Sequence, residues 1–208
     1  MTTMDRNQRT SSEPRLRGMA SAVLFLAFFS TLWALVGIGG LHGLDENPLL
    51  IATILIGLAL LVAGISLRRF ARHLPPRAAG AVASGRQGKN KWFLIIFGTE
   101  LLFILVAHAI LSLVNRLDLF IPAAMFIVGV HFFPLAALFR IKIYYLAGTL
   151  LCALVIVTLL VVPQRLKLDG LQIAAWQTVL GLSAAIVLWA SGLIQWLNGR
   201  RLLARRNL

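Results

Sequence analysis

Six apolar runs, separated by segments that alternate between basic and almost free of Lys and Arg, leave this 208-residue chain few folds to choose from. The runs lie at about 19–40, 48–67, 92–115, 119–139, 143–163 and 171–197. Each is long enough to cross a hydrocarbon layer about 30 Å thick, at about 1.5 Å of helix rise per residue. Inside that layer backbone N–H and C=O groups must be satisfied within the protein, so the runs are read as helices. With 59% hydrophobic residues the composition lies outside the range of soluble domains, which need polar surface on most helices.

Placing alternate segments on one side of the bilayer collects seventeen of the twenty Lys and Arg residues there and leaves three on the other. The rich side holds the arginines before the first run, the block from Arg68 to Lys91, Arg140 with Lys142, and the four arginines from Arg200 onward. The poor side holds Arg116, Arg165 and Lys167. The positive-inside rule makes the rich side cytoplasmic. The expected architecture is therefore all-α: a polytopic bundle of six transmembrane helices with both termini in the cytoplasm. Residues 1–18 are expected to form a disordered cytoplasmic tail, 19–197 the transmembrane domain with a basic cytoplasmic loop at 68–91, and 198–208 a basic tail.

The first run is too long for a signal peptide and five more follow it. The net charge of +13 does not point to nucleic acid, because the basic residues flank apolar runs and form no recognition module. The expected partner is the bilayer itself, with anionic lipid at the 68–91 loop; the other reading of that loop is a solvated linker whose charge only sets topology. Asn47-Pro48, Asp118 and Asp169-Gly170 read as helix starts, and Pro163 as a stop. No inverted repeat is visible between the two halves.

An ionisable group in hydrocarbon costs about 2.5–3.5 kcal/mol to insert, so each one inside a run is a functional candidate. Three stand out: Glu100 and His108 in the third run and His131 in the fourth. Glu100 lies nine residues after Lys91, about 13 Å along a helix, and His131 lies nine residues before Arg140, which gives the two a similar depth; counted from the external turn they differ by about one helical turn, ~5 Å, so a direct contact stays open. On a helical wheel Glu100, His108, Ser112 and Asn115 occupy an arc of about 120°, expected to face the interior. Pro134 cannot donate to the carbonyl of Val130, which predicts a kink, and Gly129 would admit a close neighbour. The chemistry that fits is a buried acid–imidazole site that exchanges a proton or binds a small solute or ion. The competing account has the same residues as hydrogen-bonding links between helices.

No metal or cofactor is expected. Glu100 and His108 are about 12 Å apart along one helix, too far to share an ion. The single Cys152 sits in an apolar run without a His at its depth, so it reads as a packing residue. Gly181, Ala185 and Gly192 in the sixth run form a stripe of small residues, and Gly57 with Gly64 forms a shorter one in the second. Such stripes let helices approach closely, either within the monomer or in a homo-oligomer.

The stretch at 128–136, Val-Gly-Val-His-Phe-Phe-Pro-Leu-Ala, preceded by Glu100 and Asn115-Arg116, resembles uncharacterised small bacterial membrane proteins that carry an HFxPLAxxF-type segment. The resemblance spans roughly the third to fifth helices and implies a bacterial inner-membrane placement without an activity. Together these readings give a multi-pass membrane protein that binds or transports a small solute or ion, linked to protons, through a polar site in helices 3 and 4. A membrane scaffold or accessory subunit is the alternative, and an intramembrane enzyme the remoter one.

Overall fold

The computed structural model describes residues 3–41, 46–72, 83–139, 141–168 and 171–204. Within them lie six helices: α1 (Thr3–Ile38), α2 (Asn47–Arg72), α3 (Ala83–Leu113), α4 (Phe120–Phe139), α5 (Lys142–Val161) and α6 (Ala175–Ala204). All six are long and apolar enough to cross a membrane. The protein is an all-α bundle of the kind expected for a polytopic membrane protein.

Several helices extend past the apolar runs. α1 begins at Thr3, so the segment expected as a disordered tail continues the first helix. α2 reaches Arg72 and α3 starts at Ala83, which turns much of the expected 68–91 loop into helix ends. An apolar run marks the slab of hydrocarbon, whereas a helix already nucleated there propagates outward at little cost. Pro75, Pro76, Arg77, Arg140 and Asp169-Gly170 lie outside the described residues.

α1 is the hub. α2 sets Thr53, Gly57, Leu60, Gly64, Leu67 and Ala71 inward, a 4-3-4-3-4 spacing that draws one narrow stripe along a helix. A Cβ on Gly57 would strike the Thr31 side chain, and one on Gly64 would come within 2.7 Å of Leu24, so both glycines receive α1. On the other flank, Gly181 of α6 lies directly on Gly37 of α1, and a Cβ on Gly37 would stand 2.6 Å from the Leu182 nitrogen. Ala185 is fully buried in the same core, and Gly192 meets Leu26 and Leu60 at ordinary contact distance. α1 thus packs along the small-residue stripe of α6. Gln177 adds a polar tie, its Nε2 donating to the Val36 carbonyl at 2.9 Å.

α4 and α5 form a second tight pair. A Cβ on Gly129 would come within 2.7 Å of Cys152 Sγ, and one on Gly148 within 2.7 Å of the Gly129 oxygen. Phe132, Tyr144, Leu151 and Leu188 knit this pair to the α1–α6 core.

At the end opposite the termini a two-stranded hairpin precedes α6, with β1 (Leu166–Leu168) antiparallel to β2 (Leu171–Ile173). It is pinned by Ala174 N–H to the Gly40 carbonyl (2.9 Å) and by Trp176 Nε1–H to the Val162 carbonyl (2.8 Å). Leu166-Lys167-Leu168 and Leu171-Gln172-Ile173, alternating about Asp169-Gly170, carry a hairpin signal that a reading for apolar runs passes over.

Candidate functional site

α3 stands apart from this scheme. Only 6% of the most apolar stretch of its span is buried within the chain, against 50% for α4. Its contacting face follows Phe93, Ile96, Phe97, Glu100, Ile104, Ala107 and Leu111, and it leans chiefly on α4. At the end nearer the termini, rings join it to the bundle: Phe93 and Phe97 meet Phe25 of α1 at 6.3 Å, Phe97 meets Phe29 at 6.1 Å, and Phe93 meets Phe139 of α4 at 6.0 Å.

Glu100 is the one buried residue of the α3 span, and it points at His131 of α4. His131 Nε2 lies 3.3 Å from Glu100 Oε2, with both side chains more than nine-tenths buried. The approach is close enough for an ion pair, yet Nε2 makes no aligned hydrogen bond. The imidazole also meets the Ile96 backbone, one turn before Glu100, and stands edge-on to Phe97 and Phe132 at 6.3 and 6.4 Å. Equal depth on antiparallel neighbours brings the pair together.

The rest of the polar arc does not join them. His108 and Ser112 are exposed, and the His108 ring instead meets Phe120 edge-on at 5.1 Å. At about 100° per residue His108 stands about 80° and Ser112 about 120° from Glu100, beyond the narrow face that α4 covers. Asn115 has a different duty. With φ 55° it takes the left-handed position just past the end of α3. Arg116 N–H reaches the Leu111 carbonyl (2.8 Å) and Asn115 N–H the Ser112 carbonyl (3.2 Å). These are the two bonds of a Schellman cap, which favours Gly or Asn at this position. Asp118, expected to cap α4, lies in a 3-10 turn (Leu117–Leu119) and pairs with Arg116 at 3.2 Å.

Beside Glu100 and His131 runs a groove of about 340 Å³ between α3 and α4. Ile95, Phe103, Phe126, Val130 and Pro134 line it, with Thr99 as its further polar residue. Pro134 sits inside α4, which continues unbroken to Phe139, and leaves the Val130 carbonyl without its usual donor four residues on. Phe103 and Phe126 escaped the sequence reading, although Phe103 lies three residues from Glu100 and so shares its side of the helix. Among the described residues no three His, Cys, Asp or Glu side chains gather as metal ligands. Cys152 packs at the α4–α5 crossing, with Sγ 4.0 Å from the Phe126 carbonyl.

The site therefore consists of one acid and one imidazole on the wall of an apolar groove, beside the proline that interrupts the α4 hydrogen-bond ladder. In comparisons with protein-family models, curated proteins and solved structures the chain finds no match, so the likeness carried by the 128–136 segment gains nothing from them.

Proposed function

We propose that this is a multi-pass protein of the bacterial cytoplasmic membrane, with both termini in the cytoplasm, that binds and moves a small solute or ion in exchange for a proton at Glu100 and His131. The observation that carries the reading is the 3.3 Å approach of the two side chains beside the groove. An acid placed in hydrocarbon solely to link helices would be expected to complete its hydrogen bond; here Nε2 is left without one. The orientation rests on the seventeen-to-three partition of basic residues, and the bacterial placement on the 128–136 resemblance. Anionic lipid headgroups meet the basic ends of α2 and α3.

The test is proton movement in proteoliposomes loaded with pyranine and offered a panel of small cations and amino acids. Wild type gives a solute-dependent pH change; Glu100→Ala and His131→Ala abolish it while keeping their folded elution profile.

A second reading, in which the pair is structural, is favoured by the thin attachment of α3, which leans chiefly on α4. On that account the same substitutions lower the melting temperature, and wild type moves no protons with any member of the panel.

A further inference from the structure

We propose that the α3–α4 groove binds a lipophilic cation that reaches it sideways from the bilayer. The inference rests on the reading of Glu100 and His131 as a ligand site, and it names the ligand's class and its route.

The route follows from depth and lining. Glu100 is nine residues from Lys91 and thirteen from Leu113, about 13 and 20 Å from the two ends of its span. The groove walls at that level are Ile95, Phe103, Phe126 and Val130, all exposed on the outside of the bundle. The opening therefore faces acyl chains, and a molecule already dissolved in them meets it without crossing a headgroup layer. At about 340 Å³ the groove falls in the range that holds a small drug-like ligand.

The class follows from the polar atoms. The Glu100 carboxylate is an acceptor, Nε2 of His131 beside it makes no hydrogen bond, and both line the groove together with Val130 and Pro134. Phe103 and Phe126 turn aromatic surface to the same space, which attracts a desolvated cation further. In sequence, the nearest Lys or Arg to Glu100 or His131 is nine residues away. Among the described residues, the titratable groups that line the site are Glu100 from α3 and His131 from α4, while α1 brings the rings of Phe25 and Phe29 against Phe97. A lone carboxylate here would be an uncompensated charge in hydrocarbon. As the cation arrives, the carboxyl proton is handed to His131 Nε2, 3.3 Å away, and from there is released to the aqueous phase, so the net charge of the site is unchanged.

The experiment uses the full chain in lipid nanodiscs with tetraphenylphosphonium as probe. Saturable binding is expected, with proton release into a weakly buffered medium. Glu100→Gln should weaken it about tenfold or more by removing the countercharge. Val130→Trp, at an exposed position on the mouth, should weaken it at least about threefold without touching the acid. Tetramethylammonium, too polar to dissolve in the bilayer, should not bind. Melting temperatures of both variants separate loss of the site from loss of the fold. If tetraphenylphosphonium is indifferent to Glu100→Gln while neutral decylubiquinone binds in a Glu100-dependent manner, the cation class is overturned and the ligand-site reading stands. If neither probe responds to either variant, both fall.

Discussion

Gly37 and Gly181 meet backbone to backbone: a Cβ added to Gly181 would overlap the Cα and nitrogen of Gly37 and stand 2.8 Å from the Trp33 carbonyl. In lipid, where apolar side chains gain little by leaving their surroundings, such close packing is a main source of helix association. Gly181→Ala should therefore destabilise the bundle by about 1–3 kcal/mol, because the obstructing atoms are backbone and cannot turn away. Gly192→Ala is the control. Its added Cβ meets Leu26 and Leu60 at 3.6 Å, so it should be neutral, or stabilising by up to about 1 kcal/mol from helix propensity. Thermal unfolding of the two variants in one detergent decides.

The α4–α5 crossing offers a coupled pair. Gly129→Ala pushes a methyl at Cys152 Sγ, 2.7 Å away, and should cost about 1–2 kcal/mol. Cys152→Ala removes the nearest obstruction but leaves the Cys152 nitrogen at 3.2 Å and the Gly148 oxygen at 3.3 Å. The double variant should recover part of the loss, a favourable coupling of about 0.5–1 kcal/mol. Strict additivity in a denaturation series would show that the sulfur is not the limiting contact.

Asn115 should behave as a cap. Asn115→Gly is expected to change stability by less than about 0.5 kcal/mol, whereas Asn115→Val, β-branched in a left-handed position, should cost about 1–2 kcal/mol. Neither should alter tetraphenylphosphonium binding. A binding loss in the stable Gly variant would return Asn115 to the site.

The Glu100–His131 contact should register in a double-mutant cycle. Interhelical polar contacts in membranes average about 0.6 kcal/mol and reach about 1.7, so Glu100→Ala and His131→Ala should couple within that range. His108→Ala and Ser112→Ala, both exposed, should each shift stability by less than about 0.5 kcal/mol. A coupling near zero, read from unfolding midpoints, would mean that the two side chains do not meet in the membrane.

Topology has its own readout. In a Cys152→Ser background, a cysteine replacing Arg165 should react with a membrane-impermeant maleimide added outside intact cells. One replacing Arg200 should react only after lysis. The reverse pattern would invert the orientation drawn from the charge asymmetry.

The six spans were legible because lipid forbids unpaired backbone, which makes every crossing a long apolar helix. The similar depth of Glu100 and His131 was legible from counting to the nearest charge on each helix, since antiparallel neighbours share a depth scale; that their side chains meet was not, because counting from the other turn set them about one helical turn apart. Which side of each helix faces the protein was not. Leu94 of α3 is 70% exposed and Leu188 of α6 fully buried, yet both are leucine, because acyl chains and a packed core select the same side chains. That degeneracy hid the peripheral position of α3 and turned His108 and Ser112 outward against expectation. Small residues break it: Gly57, Gly64 and Gly181 marked close contacts, although the partner helix could not be named from them.

Because α1 finds its tightest partner in α6, five helices further along the chain, the bundle cannot close until α6 has been made. A ribosome stalled after the fifth crossing would leave the Gly37 side of α1 bare in the bilayer, a gap shaped for a helix that has not arrived. Quality-control proteases that survey membranes for unpaired segments would find chains lacking α6 readily, so losing that one helix should lower abundance more than its share of the bundle suggests.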